Sequence, residues 1–211
     1  MAGLTSTLMP PTPPNPDKLA LRRQLRLARA AVPDAVRRAA GTALLRIALN
    51  HGLLSRHRRI GFYIPANGEI DCLPLLNRAL WMGAECYLPI VPEARQRKLW
   101  FSRLGHGPYW SANRFGIPEY EARTGKVRVA KLDILFMPLL GFDLIGNRVG
   151  MGGGYYDASL AFLKCRQHWH KPMLIGLGFD AQKTGRIPRD PWDRPLDAVI
   201  TESRFYRFQY R

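Results

Sequence analysis

Apolar residues recur at helical spacing in the first part of the chain and form short continuous runs between these stretches. The spacing predicts three helices there: Lys18–Ala31 after Asp17 as N-cap, Ala35–Asn50 after Asp34, and Leu73–Met82 after Asp71. A fourth helix is predicted over Tyr156–Cys165, where a glycine-rich stretch ends.

The continuous apolar runs predict buried strands. They are Arg59–Ile64, Glu85–Val91, Leu132–Pro138 and Pro172–Phe179, with a rougher alternation in Lys98–Leu104 that suits an edge strand and a last short strand at Val199–Thr201. Gly105–Tyr120 is expected to be irregular, and Arg204–Arg211 to be an exposed edge or tail. Because strands buried on both faces have such apolar runs, the alternation with helices predicts an α/β fold with a largely parallel sheet and helices on both faces.

Domain organisation follows from the proline content. Five of the first sixteen residues are proline, so residues 1–17 are expected to be a disordered tail. Residues 18–211 contain no internal repeat and no second linker, which predicts one three-layer domain.

The most informative stretch is Gly146–Asp157, GNRVGMGGGYYD, which places four glycines within five residues between a predicted strand and a predicted helix. Glycine permits positive φ and close approach of the backbone to a ligand, and a loop that opens a helix presents free N–H groups. Arg148 adds a planar cation. The spacing fits neither the P-loop nor the dinucleotide-binding fingerprint. The stretch therefore indicates an anion-binding loop, and the alternative is a flexible surface turn.

Other candidate residues have ordinary interpretations as well as functional ones. Glu69 follows a predicted strand and is either a ligand-binding acid or a solvated loop acid. Phe115 lies on a predicted turn, where core packing is its ordinary role. In an open parallel sheet, ligands lie outside the carboxyl ends of the strands, so the Glu69 loop and the glycine loop are expected to share one site.

Cationic side chains recur on one stripe of the first predicted helix. Lys18, Arg22, Arg26 and Arg29 lie three or four residues apart, so they repel one another unless an anion lies between them. The alternative is a solvated cationic face.

The overall charge of +16 favours an anionic partner but does not identify it. The arginines are spread along the chain, which argues against a nucleic-acid-binding stripe. Three separated cysteines, Cys72, Cys86 and Cys165, suggest reduced thiols in a cytoplasmic protein. The absence of a long apolar run or an N-terminal signal pattern predicts no membrane segment and no secretion.

Several motifs together resemble the 5-formyltetrahydrofolate cyclo-ligase family. The most specific is DILFMPLLGFDLIGNRVGMGGGYYD, Asp133–Asp157. The supporting motifs, in the family's order, are K-x-x-x-R at Lys18 and Arg22, G-E-I-D at Gly68–Asp71, F-G-I-P-E at Phe115–Glu119, and W-D-x-P-x-D at Trp192–Asp197. The resemblance extends from Lys18 to Thr201.

This resemblance implies an ATP- and Mg²⁺-dependent ring closure that converts 5-formyltetrahydrofolate to 5,10-methenyltetrahydrofolate with release of ADP and phosphate. In the family's proposed mechanism the formyl oxygen attacks the γ-phosphate, and N10 then attacks the phosphorylated imidate. The implied partners are ATP and a reduced folate, with or without a polyglutamate tail, and neither nucleic acid nor membrane. Phosphoryl transfer needs mainly positioning and charge neutralisation.

The resemblance also assigns roles to residues. Arg148 and Tyr156 are the expected catalytic residues. ATP contacts are expected from Lys18, Arg22, Arg148, Val149, Gly150, Met151, Gly152, Gly153, Gly154, Tyr155 and Tyr156. Folate contacts are expected from Arg22, Ile64, Glu69, Phe115 and Tyr155. Mg²⁺ contacts are expected from Asp157 and Asp193, since hard carboxylate oxygens suit this ion.

The chain departs from the family pattern at three of these positions. Phe115 stands where some members have Trp, and Met151 and Gly153 stand where some members have basic residues. Arg26 and Arg29 are predicted to lie on a solvated face. The alternatives to a folate enzyme are another ATP-dependent ligase or kinase-like enzyme on the same scaffold and, more remotely, a basic nucleic-acid-binding protein.

Overall fold

The structure is a computed structural model that describes residues 16–93, 96–165 and 171–209. The predicted disordered tail lies outside these residues except for Pro16 and Asp17, which are helical. The helices are α1 Pro16–Ala30, α2 Asp34–Asn50, α3 Leu73–Trp81 and α4 Tyr155–Leu160. Three 3₁₀ turns cover Val129–Lys131, Ala161–Cys165 and Asp180–Gln182. Within the described ranges, no helix has the length and apolar character needed to cross a membrane.

Twelve short strands are present in the described residues. They are β1 Arg59–Gly61, β2 Glu85–Ile90, β3 Trp100–Arg103, β4 Trp110–Ala112, β5 Pro118–Tyr120, β6 Lys126–Val127, β7 Ile134–Pro138, β8 Gly141–Phe142, β9 Arg148–Val149, β10 Met173–Leu177, β11 Ala198–Ile200 and β12 Phe205–Arg207. Eight of them form one sheet in the order β12-β11-β10-β7-β1-β2-β3-β6. The central strands from β11 to β2 are parallel, and β12, β3 and β6 are antiparallel to their neighbours.

The two faces of the sheet are covered by different helices. On β7, Ile134 and Phe136 pack in the cluster that contains the buried residues of α2 and α3, whereas Leu135 and Met137 pack in the cluster that contains Leu160 of α4. Alternate side chains of a strand point to opposite faces. The sheet is therefore buried on both sides, which confirms the predicted three-layer α/β fold with a largely parallel sheet.

Two helices begin earlier than predicted. α1 begins at Pro16 and α2 at Asp34, so Asp17 and Asp34 lie in the first helical turn and the prediction that they are N-caps is wrong. Proline suits the first helical position because it has no N–H to leave unsatisfied. An acid in the first turn still interacts favourably with the helix dipole. At α3 the N-cap is Cys72, so the prediction that Asp71 caps this helix is also wrong, although the Asp71 carboxylate accepts a hydrogen bond from the Leu73 N–H at 2.9 Å.

The antiparallel side of the sheet also differs from the prediction. β3 is not an edge strand, because β6 pairs with its outer side. The segment predicted to be irregular, Gly105–Tyr120, contains the hairpin of β4 and β5. Asn113 stabilises the turn of this hairpin, since its side-chain oxygen accepts hydrogen bonds from the N–H groups of Phe115 and Ile117. At the opposite edge, β12 pairs with β11 and confirms the predicted terminal edge.

Helix α1 packs beside the segment that leads into the glycine loop. Leu25 forms a small apolar cluster with Leu140, Val149 and Ile187. The approach is close at Gly141, where a Cβ would lie 3.0 Å from the Gln182 carbonyl oxygen and closer still to Leu25. Only glycine fits there without a shift of the surrounding atoms. This packing fixes α1, with Lys18 and Arg22, next to the loop that follows β9.

Candidate active site

A cavity of about 830 Å³ opens at the carboxyl ends of β1 and β7. Its walls include Ile64, which follows β1, and Pro138, which ends β7. The Glu69 loop and the glycine loop both line it, as the sequence predicts. Every residue to which the family resemblance gives a role lines this one cavity: Lys18, Arg22, Ile64, Glu69, Phe115, Arg148, Val149, Gly150, Met151, Gly152, Gly153, Gly154, Tyr155, Tyr156, Asp157 and Asp193.

The glycine loop has the backbone conformation that its composition suggests. Gly152 and Gly154 have φ values of +103° and +68°, a region that L-residues rarely adopt. Two arginines from other parts of the chain hold its carbonyl groups. Arg22 Nε donates to the Gly150 oxygen at 3.1 Å, and Arg97 Nη1 donates to the Gly153 oxygen at 3.1 Å. The loop is therefore an anchored turn and not a free surface segment.

Arg148 lies at the start of this loop and forms an ion pair with Asp157 of α4. The Nη2–Oδ1 distance is 2.5 Å, and the Arg148 side chain is only 6% exposed. Its Nε is buried and has no hydrogen-bond partner within the described part of the chain. A buried guanidinium with an unsatisfied N–H donor favours the binding of an oxyanion that can accept its hydrogen bond.

Lys18 forms the second charged group of the site. Its side chain is buried, and Nζ donates to Asp190 at 2.6 Å and also to Asp193. The Asp190 N–H in turn donates to Asp193 Oδ2 at 2.8 Å. Lys18 therefore joins α1 to the loop that precedes β11, across 172 residues of sequence.

The predicted magnesium ligands do not form a closed metal site by themselves. No group of three or more metal-binding side chains occurs in the described ranges, and Asp157 and Asp193 are each paired with a cation. Mg²⁺ commonly binds through one or two carboxylates, with phosphate and water oxygens completing its shell. The two aspartates fit an ion that arrives with a nucleotide better than a permanently bound ion.

Glu69 lies at the other side of the cavity. Burial raises the pKa of this carboxyl group, although its hydrogen bond from the Ala66 N–H and the nearby Arg29 charge both act to lower it. The Ala66 nitrogen lies 3.1 Å from Oε2. Glu69 is not a solvated loop acid, because it faces the cavity in a partly desolvated position.

The prediction that Arg29 lies on a solvated face is wrong. Its side chain is buried, with 4% exposure, and Nη2 donates to the Asn67 carbonyl oxygen at 2.9 Å. Asn67 lies in the loop that follows β1, and this loop folds over α1. Arg26 remains exposed, as predicted.

Burial raises the pKa of two tyrosines near Glu69, Tyr63 and Tyr156. The effect on Tyr156 is opposed in part by Arg148, and both tyrosine pKa values are raised further by Glu69. The Tyr63 hydroxyl donates to the Ile70 carbonyl oxygen at 2.9 Å and so fixes the Glu69 loop. A tyrosine hydroxyl is protonated at neutral pH even without such a shift, so Tyr156, which lines the cavity, can donate a hydrogen bond to a ligand.

Phe115 is at the rim of the cavity and is 56% exposed, so core packing does not explain it. Its ring meets the Tyr155 ring edge to face at 6.2 Å, and the Arg114 guanidinium lies 5.2 Å from its centroid. The buried Glu119 ties its turn to β2, since it accepts hydrogen bonds from the Val91 N–H at 2.8 Å and from Asn113 at 3.4 Å. An exposed aromatic on an anchored turn is suited to cover a planar ligand.

Sequence reasoning missed several residues of the cavity. They are Tyr63, Asn67, Arg97, Asn113, Asp190 and Trp192, among others. For Asp190 a signal existed, because D-P-W-D places a second carboxylate three residues before Asp193. Arg97 carries no such signal, since it lies in a polar stretch without recognisable periodicity.

The family is established by comparison with known proteins. The sequence model of the 5-formyltetrahydrofolate cyclo-ligase family matches residues 14–202. The chain belongs to the 5-formyltetrahydrofolate cyclo-ligase family. A family relative from Haemophilus influenzae, 5-formyltetrahydrofolate cyclo-ligase, is 33% identical over 184 residues, which cover 85% of this chain and 95% of the relative. The enzyme of the same name from Escherichia coli K12 is 32% identical over 152 residues, which cover 71% of this chain and 80% of that enzyme.

The fold agrees with this membership. The NMR structure of Aquifex aeolicus 5,10-methenyltetrahydrofolate synthetase superimposes with a TM-score of 0.74 and 27% sequence identity. The match covers 92% of this chain and 94% of the other. The residues matched by the family model include all those that line the cavity, from Lys18 to Asp193.

Proposed function

We propose that this protein closes the ring of 5-formyltetrahydrofolate to give 5,10-methenyltetrahydrofolate, with conversion of ATP to ADP and phosphate. One observation carries the proposal: the residues that the family resemblance assigns to ATP, folate and metal all line a single cavity of about 830 Å³. This volume is within the range of cavities that bind small molecules and cofactors. The relatives that carry the cyclo-ligase name match most of this chain.

ATP binds, in this proposal, along the wall formed by the glycine loop, Lys18, Arg22 and Arg148. Arg148 neutralises charge on the transferred phosphate through the Nε that is without a partner within the described residues. Tyr156 donates a hydrogen bond to the same region, since it lines the cavity and a tyrosine hydroxyl is protonated at neutral pH. Such fixed donors act mainly on the charge that develops in the transition state.

The folate binds at the opposite wall. Glu69 accepts hydrogen bonds from the amino-pyrimidine edge of the pterin, and Ile64, Phe115 and Tyr155 cover the apolar rings. The formyl oxygen then attacks the γ-phosphate, and the bond from that phosphorus to the bridging oxygen of ADP breaks. N10 attacks the resulting imidate carbon and loses its proton, and the carbon–oxygen bond breaks as phosphate leaves and takes up that proton. No nucleophilic side chain is needed for either step.

Asp157 and Asp193 would hold Mg²⁺ together with oxygens of the nucleotide. Bound there, the ion supplies charge neutralisation to the phosphates. The chain's own part is to orient these carboxylates, which it does through the Arg148 and Lys18 ion pairs.

The decisive experiment follows the near-ultraviolet band of 5,10-methenyltetrahydrofolate. Purified protein is mixed with 5-formyltetrahydrofolate, ATP and Mg²⁺, and each component is omitted in turn. We expect a rise in absorbance that needs all four components. If the folded protein gives no rise, the substrate assignment is wrong, and other ATP-dependent acid substrates become the candidates.

A further inference from the structure

A second cavity, of about 410 Å³, lies beside the first. It is lined by Arg26, Arg29, Ala30, Arg37, Asn67, Gly68 and Met151, and we call it the arginine cavity. Asn67 and Met151 line both cavities, so the two are neighbours. None of its three arginines belongs to the set that the family resemblance assigns to ATP or folate.

Arg29 is the buried element of the arginine cavity. Its side chain is only 4% exposed, and Nη2 is used by the Asn67 carbonyl oxygen. Nη1 is buried and has no hydrogen-bond partner within the described residues. A buried charged donor without a partner is costly, which favours a ligand that supplies the acceptor.

Positive charge exceeds negative charge around Arg29. Burial lowers the pKa of its guanidinium, the neighbouring Arg37 and Arg26 charges lower it further, and Glu69 acts in the opposite direction. Three arginine side chains, Arg26, Arg29 and Arg37, thus lie near one carboxylate, that of Glu69.

The other two arginines differ in how they are held. Arg37 is fixed, because it donates to the carbonyl oxygens of Gly68 at 3.0 Å, Val32 at 3.1 Å and Arg29. The Arg26 side chain is exposed and makes no hydrogen bond within the described part of the chain. Its guanidinium is therefore free to close over a group that enters the arginine cavity.

We propose that the arginine cavity binds one oxyanion, a carboxylate or a phosphate group, between Arg29 and Arg26. The planar guanidinium of Arg29 supplies a fixed donor, and Arg26 supplies a second from the open side. Both anions match the fork of a guanidinium. The site itself does not depend on the proposed function. The source of the anion does: it is a glutamate carboxylate of the folate or the phosphate that the reaction releases.

Anion titration by calorimetry tests the site directly. Inorganic phosphate and glutarate are titrated into the wild-type protein and into Arg26→Gln, which changes an exposed side chain. Arg23→Gln is the matched control, since Arg23 is exposed on the same helix and lines neither cavity. We expect Arg26→Gln to weaken binding of at least one anion about tenfold, and Arg23→Gln to leave it unchanged.

Arg22→Gln distinguishes the two cavities, because Arg22 lines only the larger one. Binding that survives in Arg22→Gln but is weakened in Arg26→Gln supports the arginine cavity. If Arg26→Gln binds both anions as the wild type does, or if only Arg22→Gln loses binding, the proposal is overturned. Arg29→Lys keeps the charge and removes the fork, and we expect it to weaken the same binding.

Steady-state kinetics then identifies the source of the anion. If it is the folate tail, Arg26→Gln reduces the KM advantage of a triglutamate substrate over the monoglutamate. If it is the released phosphate, the same variant weakens product inhibition by phosphate. If Arg26→Gln changes neither measurement, both proposed sources of the anion are excluded. A wild-type protein that forms no methenyl product refutes the proposed function, while the titration still decides the site.

Discussion

Buried charge is neutralised differently on the two walls of the larger cavity. We call them the phosphate wall, formed by the glycine loop, Lys18, Arg22 and Arg148, and the folate wall, formed by Glu69, Ile64 and Phe115. On the phosphate wall, Lys18 and Arg148 are buried cations that are already paired with aspartates. On the folate wall, Glu69 is a partly desolvated acid whose pKa is raised, with Arg29 as its nearby countercharge. One wall is neutralised within the protein, and the other retains a group whose charged form is disfavoured.

This difference bears on what each ligand must do. In the proposed function, phosphate groups at the phosphate wall would compete with Asp157 and Asp193 for Arg148 and Lys18, and a metal ion would take over these carboxylates. A pterin that donates hydrogen bonds to Glu69 would add to the stabilisation that the Ala66 N–H and Arg29 give the carboxylate, which burial outweighs. We therefore expect substitutions on the phosphate wall to act mainly on catalysis, and substitutions on the folate wall to act mainly on binding.

Arg148→Ala is expected to have the largest effect. It removes a buried cation of the phosphate wall, and loss of one such transition-state donor costs about 2.7–4 kcal/mol. We expect kcat/KM to fall by two to three orders of magnitude, with most of the loss in kcat. Arg123→Ala, at an exposed arginine outside the cavity, is the control in the same absorbance assay. Unchanged kcat/KM in Arg148→Ala would remove Arg148 from the catalytic set.

Glu69→Gln is expected to have the next largest effect, on folate alone. A hydrogen bond to a charged group contributes about 1.5–3 kcal/mol, so the folate Kd is expected to rise by one to two orders of magnitude. The Kd of ATP is expected to stay the same, because the phosphate wall is intact. Calorimetry with each ligand separately measures both constants. A comparable loss of ATP affinity would contradict the separation of the two walls.

Glu69→Gln is also expected to change the thermal stability of the protein. A carboxyl group whose pKa is raised by folding favours the native state below its unfolded pKa, about 4.3 for glutamate. This contribution is lost as the pH rises through the folded pKa. At neutral pH we therefore expect Glu69→Gln to have a higher Tm than the wild type, and the difference to shrink toward acid pH. Thermal unfolding between pH 4 and 8 measures it, and a lower Tm at neutral pH would refute it.

How much the sequence predicts depends on whether a signal is local. The apolar runs correctly predicted the central strands and the three layers, and the rule for the carboxyl ends of parallel strands brought Glu69 and the glycine loop together. The burial of Arg29 was not predictable, because it results from a contact with Asn67, 38 residues away. On helical spacing alone, Arg29 cannot be distinguished from the exposed Arg26. Lys18 and Asp190 are likewise joined only by the tertiary fold.

Asp193→Asn tests the metal part of the phosphate wall. Asp190→Asn is its matched control, because both carboxylates accept from Lys18 and both line the cavity. We expect Asp193→Asn to raise the Mg²⁺ concentration for half-maximal rate about tenfold, and Asp190→Asn to raise it less. Titration of Mg²⁺ at saturating ATP separates the two variants. If both variants raise the required Mg²⁺ concentration equally, the prediction that Asp193 rather than Asp190 binds the metal is wrong.

Phe115 offers the smallest and most specific test of the folate wall. An aromatic contact contributes about 0.5–1.5 kcal/mol beyond its buried area, so Phe115→Ala is expected to raise the folate KM about three- to tenfold with little change in kcat. Phe115→Trp keeps a flat ring at the rim and is expected to retain the wild-type KM. Trp110→Ala removes another exposed aromatic of the same hairpin, one outside the cavity, and controls for damage to the hairpin. If Trp110→Ala raises KM as much as Phe115→Ala, the position of the hairpin matters and the Phe115 ring itself does not. A selective effect of Phe115→Ala would instead show that this ring covers the substrate, and that the folate wall binds by shape where the phosphate wall binds by charge.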